Sequence, residues 1–121
     1  MDDESHMEID RFENKVWKNK NGKFHRLDGP AIESICTTKE WYKNGLRHRL
    51  DGPALEYSSG SKFWFQNGKL HREDGPAIIF VDGSKEFWLN DLLYKTKEEY
   101  FDKLPDEAKA RCLFSKDFLN G

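Results

Sequence analysis

The chain has 121 residues, a single-domain length, and its 20 Lys and Arg nearly balance 22 Asp and Glu, leaving a net charge of −2. That balance speaks against non-specific nucleic-acid binding, which shows as a net basic domain. Hydrophobic residues reach only 36% while aromatics reach 14%, so a thin, ring-rich core in an extended sheet is expected, not an α/β domain covered on two faces.

The first element in chain order is an N-terminal segment over residues 1–15. Ser5-His6-Met7 reads as a cloning scar, which makes residues 1–6 tag-derived, Met7 the natural start, and the acidic residues 1–4 uninformative about function. No apolar run reaches signal-peptide or transmembrane length. Cys36 and Cys112 lie far apart without metal-type spacing, and are expected to be reduced thiols in a cytoplasmic protein.

Residues 16–95 repeat. Asn-Gly recurs at Asn21-Gly22, Asn44-Gly45 and Asn67-Gly68; His-Arg follows at His25-Arg26, His48-Arg49 and His71-Arg72. Asp-Gly-Pro-Ala follows at 28–31, 51–54 and 74–77, then Ile32, Leu55 and Ile78. The step from His25 to His48 to His71 is 23 residues, a period typical of repeat architectures. An aromatic pair precedes the turn in Trp41-Tyr42 and Trp64-Phe65, and Phe87-Trp88 stands in the same register one period later. Asn-Gly between alternating apolar and polar residues predicts a two-residue type I′ hairpin, because that turn needs positive φ twice. Gly60 and Gly83 mark the opposite turns. Pro30, Pro53 and Pro76 cannot donate to a ladder and should bend or bulge the second strand of each unit. The expected fold is mainly β, an antiparallel meander of 23-residue β-hairpin repeats with about seven or eight strands. The last unit is degenerate: Asn90-Asp91 replaces Asn-Gly, and Tyr94-Lys95 stands where His-Arg would be.

A short C-terminal helical cap is expected over residues 96–121. Thr96-Lys97-Glu98-Glu99 has the capping-box pattern, Tyr100, Phe101 and Leu104 form an apolar stripe, and Pro105 opens a second helix to about Phe114. These two helices should cover the open end or one face of the sheet.

Trp64-Phe65-Gln66-Asn67-Gly68-Lys69-Leu70-His71, then Gly75, then Asp82-Gly83, resembles a MORN repeat, and the resemblance spans residues 16 to about 94. The usual His-Gly-x-Gly is replaced by His-Arg-x-Asp-Gly-Pro-Ala. This variant is similar to repeats in small proteins of bacteriophages and large DNA viruses, often followed by a helical tail. The resemblance implies a non-catalytic array that mediates protein contacts, self-association or lipid binding. It also implies a viral inhibitor of a host defence protein, of the anti-CRISPR type, acting in the host cytoplasm on a nuclease or immune effector.

The repeated polar residues admit two readings. As a structural ladder, Arg and Asp two apart pair at each bend, and each His packs on an aromatic and hydrogen-bonds a carbonyl. As a functional row, His25, Arg26, His48, Arg49, His71 and Arg72 present donors to an acidic protein surface or a phosphate backbone. Trp41, Trp64 and Trp88 would add stacking platforms for unpaired bases. A metal shared by the three histidines is disfavoured, because equivalent residues two strands apart lie roughly 9–10 Å from each other. No catalytic residues, metal or cofactor are expected: Gly-x-Ser-x-Gly, a phosphate loop, His-Glu-x-x-His and Cys-x-x-Cys are all absent. The expected function is a non-catalytic protein-binding repeat module. The alternatives are nucleic-acid or nucleotide binding through the His/Arg row, and a scaffold that dimerises through a sheet edge. A special site, if the chain has one, is expected where the repeat breaks: around residues 35–38, at Asn90 and Asp91, and along the helical tail.

Overall fold

A computed structural model of the chain describes residues 4–120; residues 1–3 of the acidic N-terminal stretch lie outside them. The sheet starts earlier than the repeat suggested. β1 (His6–Ile9) pairs antiparallel with β2 (Lys15–Lys18), so the presumed scar residue His6 lies opposite Lys18 in a strand. The meander continues through β3 (Ile32–Glu33), β4 (Lys39–Glu40), β5 (Tyr42–Lys43), β6 (Leu46–Arg47) and β7 (Leu55–Glu56). It goes on through β8 (Lys62–Phe63), β9 (Phe65–Gln66), β10 (Lys69–Leu70) and β11 (Ile78–Ile79), and ends in β12 (Lys85–Leu89) and β13 (Leu92–Tyr94).

These thirteen antiparallel segments replace the seven or eight strands expected. Nine form one sheet in the order β1-β2-β3-β4-β7-β8-β11-β12-β13, while β5–β6 and β9–β10 are separate two-stranded ribbons. The split occurs at tryptophan. Trp41 donates its N–H to Ala54 O (2.7 Å) in the main sheet, and its carbonyl accepts from His48 N (3.1 Å) at the ribbon. Trp64 does the same with Ala77 and His71, and Trp17 with Ala31 and His25. One residue thus belongs to two ladders, and at Trp41 and Trp64 the strand is divided around it, whereas β2 runs through Trp17. The Asp-Gly-Pro segments bulge out as loops between ribbon and sheet, as proline's missing donor demands. We label these loops L1 (25–31), L2 (48–54) and L3 (71–77).

Two Asn-Gly turns are type I′, with φ of 49° and 84° at Asn44-Gly45 and 51° and 81° at Asn67-Gly68. The first differs. It carries an extra residue, only Gly22 has positive φ, and Asn19 Oδ1 accepts from Asn21 N and Lys23 N. At Asn90-Asp91 the paired positive φ survives without glycine, at 50° and 68°. There the Asp91 carboxylate accepts from Leu70 N at 2.7 Å and anchors the turn to the preceding ribbon.

Burial is uneven along the array. Ala31, Ala54 and Ala77 are fully buried, with Val16, Leu55 and Ile78 close behind. Among the described residues the one large apolar cluster lies at the C-terminal end: Phe87, Tyr100, Leu104, Ala108, Cys112 and Phe118. α1 (Lys97–Asp102) begins at Thr96, whose side chain accepts from Glu99 N at 3.0 Å. α2 (Asp106–Cys112) starts after Pro105 and stops short of Phe114. A third helix, α3 (Lys116–Leu119), capped by Ser115, was not anticipated from the sequence. α1 packs on β12 and β13, so the tail closes the end of the sheet. Among the described residues no helix is long and apolar enough to cross a membrane.

Candidate interaction grooves between the repeated loops

Each residue of the repeated motif has a local job. In L2 the Arg49 guanidinium lies over the Trp41 ring, 3.9 Å from its centroid. Nε donates to Asp51 Oδ1 and Nη1 to Pro53 O, both at 3.0 Å. L1 and L3 repeat this with Arg26 over Trp17 (3.8 Å) and Arg72 over Trp64 (4.0 Å), each bound to its own Asp and Pro carbonyl. A Cβ added at Gly52 would fall 2.8 Å from Arg49 Cζ, and Gly29 and Gly75 give 2.9 and 3.0 Å. A side chain there would push the guanidinium off the indole face, because the arginine lies between that face and the loop backbone. The stack also explains why arginine stands there, since a planar delocalised cation packs on an aromatic face as an ammonium does not.

The histidines link units. Nδ1 of His25, His48 and His71 accepts the N–H of Asn44, Asn67 and Asn90, at 2.9, 3.0 and 3.1 Å. Each ring thus caps the turn of the following unit. The expected bond from histidine to a carbonyl is replaced by this one, in which Nδ1 is the acceptor and the ring proton sits on Nε2. Burial, aided by the Lys43 ammonium, holds the His48 pKa below the usual 6.5.

The expected row of exposed donors is therefore largely engaged internally. The side chains of Arg26, Arg49 and Arg72 retain only 21%, 23% and 10% exposure. The tryptophan row is also corrected. Trp17, Trp41 and Trp64 carry the arginines, and Trp17 was not singled out in the sequence. Phe87 holds the equivalent place in the last unit, and Trp88 falls in the register of Tyr42 and Phe65, bonded through Nε1 to Glu86 at 3.0 Å. Asn90 and Asp91 serve the turn. At 35–38, Ser34 Oγ accepts from Cys36 N and Thr38 N, an ordinary turn closure.

The loops leave spaces between them. Groove G1, of about 690 Å³, runs between L1 and L2 with Trp41, Lys43 and His48 in its lining. Groove G2, of about 420 Å³, runs between L2 and L3 over Trp64 and Gln66, with Arg111 and Asp117 of the tail at one side. The residue between Arg and Asp faces outward. It is Leu27 in L1, 53% exposed, Leu50 in L2, 74% exposed, and Glu73 in L3.

Beyond L3 the tail fills the place that a further groove would take. The Tyr100 ring packs 4.8 Å from Phe87, where the other units have arginine on tryptophan. Its hydroxyl donates to Arg72 O and accepts from Gly75 N. Cys112 Sγ donates to Glu73 O at 3.4 Å, Arg111 pairs with Glu73 at 3.0 Å, and Asp117 accepts from Arg72 Nη2 at 2.8 Å. Glu33 and Glu56 supply the second carboxylate to Arg26 and Arg49. L3 has Ile79 at that position, and Asp117 takes the role.

Comparison with protein families, with curated proteins and with solved structures finds no match for this chain. Among the described residues no three His, Cys, Asp or Glu side chains are grouped as a metal site would need.

Proposed function

We propose that this protein is a non-catalytic protein-binding repeat module whose docking sites are the grooves between successive loops. What carries this reading is L3. Its outer flank already receives polypeptide, the chain's own tail, through backbone atoms of Arg72, Glu73 and Gly75. The matching flanks of L1 and L2 line G1 and G2, and they carry exposed leucines where L3 has a glutamate. Exposed apolar side chains over an aromatic floor mark interaction surfaces. The likeness to MORN repeats points the same way. Its phage and viral flavour makes a host defence protein the partner of this reading.

Affinity capture from host lysates tests it, comparing the wild type with a Leu27→Glu/Leu50→Glu double variant. A stoichiometric protein retained by the wild type and lost by the variant is expected. Equal retention by both, or no partner in any plausible host, would overturn the reading.

A further inference from the structure

We propose that G1 binds an acidic segment of a partner polypeptide. A partner carboxylate accepts from His48 Nε2–H and the Lys43 ammonium, and a partner apolar side chain sits between Leu27 and Leu50. The inference rests on the grooves being docking sites and adds the chemistry of the occupant.

The second and third units differ at this histidine. In the third unit the histidine is completed internally: His71 Nε2 meets Glu73 at 3.2 Å, and Glu73 also takes Arg111. In the second unit the residue equivalent to Glu73 is Leu50. Among the described residues neither His48 Nε2 nor the Lys43 ammonium has a hydrogen-bond or ion-pair partner, and both residues line G1. His71 is buried, whereas His48 is only half-buried. The place of Lys43 is taken in G2 by Gln66. Charge follows the same division. The lining of G1 holds Arg26, Lys43 and Arg49 against Asp28 and Asp51, whereas G2 holds two cations against four carboxylates. G1 is therefore the groove with unmet donors and a positive balance.

The occupant is polypeptide and not nucleic acid for two reasons. Leu27 and Leu50 give the lips an apolar character that a phosphodiester chain does not use. Asp28 and Asp51, with side chains 80% and 87% exposed, stand beside them and repel a continuous polyanion. A single carboxylate aimed at His48 and Lys43 meets no such barrier.

The test selects binders from a random peptide display library against the full chain and measures their affinity by fluorescence anisotropy. Selected peptides should carry Asp or Glu beside large apolar residues. Lys43→Glu and Leu50→Asp should each weaken binding about tenfold, whereas Gln66→Glu in G2 should leave it unchanged. Replacing the peptide acid by lysine should restore binding to Lys43→Glu, and Lys43→Gln provides a milder variant. Binding that depends on Leu50 but not on Lys43 overturns the carboxylate assignment and leaves the docking reading standing. No binders, or binders indifferent to both substitutions, overturn both. Displacement of the peptide by a single-stranded oligonucleotide overturns the choice of polypeptide.

Discussion

His48 shows how one side chain couples protonation to repeat stacking. Its Nδ1 accepts from Asn67 N–H, which requires the neutral ring. Burial first, and the Lys43 ammonium second, lower its pKa from 6.5 in the folded chain. The unfolded chain therefore binds this proton at a higher pH than the folded one. Stability follows the excess of protons on the unfolded state, so it falls as pH drops below about 6.5 and towards the lower folded value. The urea midpoint of the wild type should decline between about pH 7 and pH 5, and the decline should be shallower in His48→Gln. Equal slopes would remove the Nδ1 bond from the account of unit coupling.

At the scale of elements, the joint between α1 and L3 concentrates the tail's hold on the sheet. Tyr100 is fully buried and its phenol is pushed to a raised pKa by that burial, so it stays protonated and can donate to Arg72 O. Tyr100→Phe keeps the ring on Phe87 but strands Arg72 O and Gly75 N–H. The expected cost is about 1–3 kcal/mol by urea denaturation; a loss below about 0.5 kcal/mol, the range of a surface change, would refute it. Much of this level was legible in the sequence. The period, the Arg–Asp pairing, the bend at proline and the Thr96 cap all rest on short spacings. The guanidinium stack was not legible, because Trp41 and Arg49 meet only across a hairpin. Trp17 is hidden in the sequence because the first turn holds one residue more, which moves it out of the 23-residue register. Trp88 joined the wrong row because the last unit reverses the aromatic pair to Phe87-Trp88. The grooves depend on how far adjacent loops stand apart, which no residue pattern states. The outward leucines at 27 and 50 were the one signal that could have pointed to them.

Across the whole molecule, stability should be graded. The large apolar cluster sits at the C-terminal end, while β1 is exposed along its length and pairs on one side only. Arrays of repeats gain stability from each unit and its neighbour contacts, so an uneven core gives uneven local opening. Native-state amide exchange should be slowest in β11, β12 and α1 and fastest in β1 and β2. Uniform protection from end to end would mean that the repeats open as one body.

The direction of the histidine bonds has a consequence for growth. Each ring reaches forward to the next turn, so the array has a leading and a trailing side, and a unit is complete only when a successor supplies an Asn N–H. An inserted copy of residues 48–70 would find both neighbours it needs, because every bond it must make already exists one step away. The tail would still fit only the final unit, where Glu73, Ile79 and Phe87 are shaped for it. Lengthening the protein by one module should thus add one more groove between loops while leaving the terminator in place, so the number of grooves scales with the number of units.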